Sequence, residues 1–135
     1  MWTSSKAVLA ALLSVLPLAA AAGVACMDLY RDEKLFENAK KLENVWADAA
    51  FTLKGHRLVE DIRTIGLVAA IDLKPIEGSP GLRAYKAMEN GFHDAGMMVR
   101  ITADTIALSP PLMINENQID EIFSDKMPKI LASVA

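Results

Sequence analysis

MMVRITADTIALSPP, from Met97 to Pro111, alternates apolar and polar side chains with the two-residue period of β-strands. Val99, Ile101, Ile106 and Leu108 fall on one face, and Arg100, Thr102, Thr105 and Ala107 on the other. A short hairpin with one buried side accounts for this pattern, and Arg100 then projects from the opposite side. A guanidinium fixed on a strand is a permanently charged planar fork, able to hold a carboxylate or phosphate through two parallel hydrogen bonds. Spacing alone leaves open whether Arg100 binds an anion or is simply solvated.

Beyond the hairpin, Pro110 and Pro111 cannot continue a strand ladder and end the second strand. Asn115 is placed to cap a last helix, with Gln118 three residues on in capping-box position. Ile119, Ile122 and Phe123 form that helix's apolar face, and Pro128 is expected to kink or end it near Met127. On the other side, Leu82–Ala95 reads as a helix presenting Tyr85, Met88, Phe92 and Ala95, with Gly96 ending it. KPIEGSPG (74–81) is a loop by composition and lacks the spacing of a phosphate loop. VEDIRTIGLVAAIDL (59–73) suggests a strand pair or one long bent strand, with Gly66 marking a bulge or a close backbone approach. Upstream, Leu35, Leu42, Trp46, Ala49 and Leu53 recur at helical steps, with Asp32 as the expected N-cap and Gly55 as the stop. Trp46 in that stripe is read as core. Helices alternating with short strands give an α+β fold, with helices packed on one face of a small, mainly antiparallel sheet.

At 135 residues the chain supports one modest core. Its net charge of −3 and pI near 5.3, with no basic run, argue against nucleic acid as a partner. Cys26 is the only cysteine, which excludes an internal disulfide, and no His/Cys cluster has metal-site spacing, so no metal is expected. His56 and His93 stand apart in sequence and read as ordinary surface or loop residues.

VRITADTIALSPPL resembles the C-terminal segment of class III, pyridoxal-phosphate-dependent aminotransferases of the ω-amino acid:pyruvate type, which reads much like VRxxGDxIALSPPL. DIRTIGLVAAIDL similarly resembles that family's Arg-x-x-Gly-Leu strand. PLAAAAGVACMDLYRDEKLFENAKKLENVW, from Pro17 to Trp46, resembles a third family segment, in which a helix opens with a His-Pro pair. The resemblance covers residues 17–135 and implies the small C-terminal domain of a fold-type I transferase. It places the family's substrate-carboxylate arginine at Arg100, with Arg63 structural or exposed. It also implies pyridoxal 5′-phosphate as cofactor, an amine donor and pyruvate as substrates, and a homodimer or large-domain partner. The Schiff-base lysine lies upstream of everything matched. Lys34, Lys40, Lys41, Lys54, Lys74, Lys86, Lys126 and Lys129 lack its surroundings, so no catalytic or cofactor-binding residue is assigned and the chain alone is expected to be inactive. Where the family has glycine, this chain has Ala103; a left-handed backbone there costs alanine about 1–2 kcal/mol, or else the turn changes type.

The beginning admits two readings. Lys6, an apolar run over Ala7–Leu18 interrupted by Ser14 and Pro17, and small residues from Ala19 to Gly23 have the outline of a secretory signal peptide, with cleavage after Ala21 or Ala22. The run is too short and interrupted for a membrane span. Continuity of the family-like segment from Pro17 favours instead a cytoplasmic chain with Pro17 opening a helix. Leu16 then replaces the family's histidine, and Leu12, Leu13 and Ser14 replace its Tyr-Ser motif. On this reading residues 1–16 are an unrelated apolar segment joined to a truncated homologue. Three functions follow: a transaminase C-terminal portion, an exported α+β domain binding an anion through Arg100, or a non-catalytic module docking on a complete transaminase subunit.

Overall fold

The two alternating stretches fold as two antiparallel hairpins sharing one sheet. In the computed structural model, which describes residues 3–135 with side-chain surroundings from Leu16 onward, β1 (Val59–Ile65), β2 (Val68–Leu73), β3 (Arg100–Thr102) and β4 (Thr105–Leu108) lie in the order β1-β2-β4-β3. Every neighbouring pair is antiparallel. Ile62, Ile71, Ile106 and Ile101 fall in one register row across all four strands. The first three are buried, so the alternation has put one face into the core. Burying each such isoleucine contributes about 1.5–3 kcal/mol.

Both hairpins turn on two residues, Gly66–Leu67 and Ala103–Asp104, and in each only the first has positive φ, at 54° and 50°. Gly66 is therefore a turn residue. It marks neither a bulge nor a close approach, since a Cβ there would meet nothing within 4 Å. The register shift in β1 lies instead between Val59 and Asp61.

The core residues come from the helices as well. α2 (Leu35–Phe51) buries Leu42, Trp46 and Ala50, and Trp46 stands edge-on to Phe123 with ring centroids 5.0 Å apart. Asn38 donates to the carbonyls of Leu112 and Ile114, at 2.7 and 3.1 Å, and so ties the segment after β4 to α2. α2 ends at Phe51, before the expected stop, and single turns carry the chain to Gly55 at φ 93°. α3 (Leu82–His93) meets the expected side only in part: Met88 packs against the core and Ala95, just past the helix, is buried. Ala84, Ala87 and Gly91 are buried while Tyr85 and Phe92 are exposed. The reason is proximity: a Cβ on Gly91 would sit 3.0 Å from the Met97 carbonyl and 3.1 Å from Ile130 Cδ1. Only small residues admit so near a neighbour.

Asn115 and Gln118 form the expected capping box at the start of α4 (Glu116–Asp120). The helix does not end at Pro128. A π-helical turn over Glu121–Lys126 leads directly into α5 (Met127–Ser133), whose first turn holds the proline. Met127 N–H bonds back to the Ile122 carbonyl, and this wider turn relieves the clash a proline ring makes with the carbonyl four residues before it.

The chain divides into two compact units, Met1–Phe36 and Glu37–Ala135, and the sheet belongs to the second. The first consists mainly of α1 (Thr3–Asp32), with Pro17 inside the helix and not at its opening. Asp32 is likewise no N-cap: it is the last residue of α1 and pairs with Arg31 at 3.0 Å, and the break follows at Lys34, φ 53°. The readings of Leu12, Leu13 and Ser14 lie outside the residues whose side chains are described.

Candidate functional site

The face of the sheet opposite the isoleucine row carries the charges. Arg63, Ala70, Ala107 and Arg100 form one register row across it, with an arginine on each edge strand and two alanines between. Strands lie about 4.8 Å apart, so the two arginine backbones are roughly 14 Å from each other and do not converge on one small ligand.

Their surroundings differ. Arg63 donates to Asp72 Oδ1 at 2.8 Å, and Thr105 Oγ1 donates to the same oxygen at 2.6 Å. Its charge is therefore matched on the sheet, as a structural and exposed residue's would be. Arg100 is exposed and has no ion-pair partner among the described residues. It borders an open groove of about 990 Å³ with Thr102, Met97, Met98, Pro110 and Pro111. One uncompensated guanidinium at an apolar groove suits a small carboxylate with an aliphatic body.

The hairpin is held by a residue to which the sequence reading gave no role. Asp104 Oδ2 accepts from the Gly81 N–H at 2.7 Å, and the Asp104 carbonyl accepts from the Leu73 N–H at 2.9 Å. The first bond fastens the turn to the start of α3, where helix N–H groups and the dipole favour a carboxylate. A second missed residue, Arg83, donates to the carbonyls of Lys74 and Val134 and so joins a loop to the C-terminal helix. An aspartate beside a tight turn was the available signal for the first; the second has none, because its acceptors are backbone atoms far away in sequence.

A pyridoxal phosphate site needs a lysine in a closed pocket, a carboxylate for the ring nitrogen and donors for the phosphate. The described residues do not fit that group. Lys34, Lys54, Lys74 and Lys86 are exposed, Lys40 and Lys41 pair with Glu43 and Glu116, Lys126 lies beside Glu121 and Lys129 beside Asp125. No group of three potential metal ligands occurs among the described residues. His56 accepts from the Leu58 N–H and His93 lies against Phe92 at the end of α3.

The four-stranded antiparallel sheet, with its buried isoleucine face and the strand arginines Arg63 and Arg100 on the other, makes this an α+β domain. The class-III aminotransferase model matches residues 13–131, and the chain belongs to that family, whose members are transferases that depend on pyridoxal phosphate. It is 46% identical over 106 residues to an omega-aminotransferase of Caulobacter vibrioides, a match covering 78% of this chain and 24% of that protein. It is 31% identical over 107 residues to an omega-amino acid--pyruvate aminotransferase of Pseudomonas putida, covering 79% and 24%. Among solved structures it resembles a thermostable omega transaminase variant from Pseudomonas jessenii, with a TM-score of 0.73, 24% identity and 80% and 25% of the two chains covered. The chain thus spans about a quarter of the length of these relatives, as expected of a small domain.

Proposed function

We propose that this chain acts as the C-terminal portion of an ω-amino acid:pyruvate transaminase, in which Arg100 grips the carboxylate of pyruvate or of the amino donor. The observation that carries the proposal is the contrast between the two strand arginines: Arg63 is matched by Asp72, whereas Arg100 is presented without a carboxylate of its own. The names of the relatives support the substrate class. Transfer of the amino group requires a lysine in the closed surroundings described above, so the chain alone is inactive and needs a large-domain or second-subunit partner. A cytoplasmic location belongs to the same proposal, supported by the family match that runs on through Ala21 and Ala22.

A solvent-facing guanidinium with no second anchor holds a carboxylate weakly, with Kd on the order of 1 mM or above. Titrating the full chain with pyruvate should therefore shift the backbone amide resonances of β3 and β4 in the millimolar range. R100Q should abolish the response and R63Q should spare it. Equal responses in both variants refute the assignment. A stoichiometric lysine adduct after borohydride treatment with pyridoxal phosphate refutes the inactivity of the chain alone.

A further inference from the structure

The turn between β3 and β4 is fastened at three points. The Asp104 carbonyl accepts from the Leu73 N–H at 2.9 Å, and Asp104 Oδ2 accepts from the Gly81 N–H at 2.7 Å. Gly81 also lies so near that a Cβ on it would stand 3.7 Å from the Ala103 carbonyl oxygen. The other carboxylate oxygen, Asp104 Oδ1, is buried and has no hydrogen-bond partner among the described residues. A buried carboxylate oxygen left without a donor destabilises a fold, so stability alone does not explain an aspartate at this place.

What this joint holds is a strand that is weakly held otherwise. β3 has three residues and, among the described strands, only β4 beside it. Val99 is buried just before the strand, but Ile101 within it is only half buried. The turn itself works against the pairing: Ala103 has φ 50° at the first position of a two-residue loop, where glycine is the residue that adopts positive φ freely. A turn that relaxed by taking in one more residue would slide β3 along β4. A slip of one residue turns every side chain of a strand to the other face, and Arg100 would then leave the open side of the sheet.

We infer that Asp104 is the positioning residue for Arg100: by pinning the turn to Gly81, it keeps β3 in the register that presents the guanidinium on the open face. This role rests on Arg100 being the carboxylate grip proposed above; Asp104 aims that grip and touches no ligand.

Cross-strand nuclear Overhauser contacts read the register directly. Ile101 faces Ile106 across β3 and β4, and Ile106 faces Ile71 across β4 and β2. D104A should lose the Ile101–Ile106 contact and keep Ile71–Ile106. D104N, which retains an oxygen for the Gly81 N–H, should keep both. The double variant A103G/D104A should regain the first contact, because glycine removes the strain that drives the slip. Pyruvate affinity should follow the same order, since the apparent Kd rises as the inverse of the fraction in the binding register: with about one molecule in ten in register it is about tenfold higher. D104A with the Ile101–Ile106 contact intact overturns the inference. Loss of both contacts together also overturns it, because Asp104 would then support the whole sheet, and so does a failure of A103G to restore the contact. A D104A chain that loses the contact yet binds pyruvate unchanged has the same effect. If the unaltered chain gives no response to pyruvate, the carboxylate reading of Arg100 fails by itself, and the register contacts still decide the role of Asp104.

Discussion

Replacing Ala103 by glycine should make the sheet-bearing unit more stable. Ala103 has φ 50°, in the left-handed region where an L side chain costs roughly 1–2 kcal/mol. Its methyl group is exposed and its removal sacrifices no core contact. Against the relief stands the greater freedom of glycine in the unfolded chain, about 0.4–1 kcal/mol. The difference is a net gain of about 0.5–1 kcal/mol, or a urea midpoint higher by roughly 0.5 M. The fluorescence of buried Trp46 reports the transition, with Trp2 replaced by phenylalanine to remove its signal. The sheet provides its own control, because Gly66 occupies the same place in the first hairpin at φ 54° with open space where a Cβ would lie. Gly66→Ala should lower the midpoint by a similar amount. If the two substitutions shift it in the same direction, backbone strain does not govern these turns and the reasoning fails.

Three further outcomes follow from the packing and charges. Gly91→Ala should destabilise by about 1–3 kcal/mol despite alanine's better helix propensity, because the added methyl meets the Met97 carbonyl and Ile130; a rise in Tm would contradict that contact. Trp46→Ala should cost about 3–5 kcal/mol, and Trp46→Phe less than half as much, since the buried indole N–H has no acceptor to leave orphaned; equal losses in urea titration would contradict this. The Asp125 carboxyl is held below its ordinary value by its hydrogen bond from Lys129, then by the charges of Lys129 and Lys126. The lowered folded-state value means that this contribution is present above the ordinary carboxylate range and is lost as pH falls through the folded-state value. A carbon-detected titration should show Asp125 moving up in Lys129→Ala; no movement would refute the assignment.

Much of the fold is legible in the chain because two signals there are local. The alternation from Val99 to Leu108 and the Asn115–Gln118 pair each specify structure within a few residues, and both form as read. Trp46 also sits in the core, where its helical spacing placed it. α3 is harder to read, since its inner side is chosen by how near Ile130 and the Met97 carbonyl come, and side-chain size then misplaces Tyr85 and Phe92. At Pro128 the sequence shows a helix breaker but not the widened turn that absorbs it. Asp32 has the right type for a cap, yet the break falls at Lys34, so α1 claims it as a terminal residue. Of the candidate site, Arg100 is visible from strand period and family likeness. Asp104's grip on Gly81 depends on two segments 23 positions apart meeting in space.

That grip makes the hairpin a short lever. A tug on the Arg100 side chain would pass along three strand residues to the turn, and from Asp104 into the N–H of Gly81, the N-cap of α3. Deuterium uptake at Gly81 and Tyr85, whose own N–H bonds the Gly81 carbonyl, would then slow when an anion is seated, making the beginning of that helix a distant gauge of what the strand is holding.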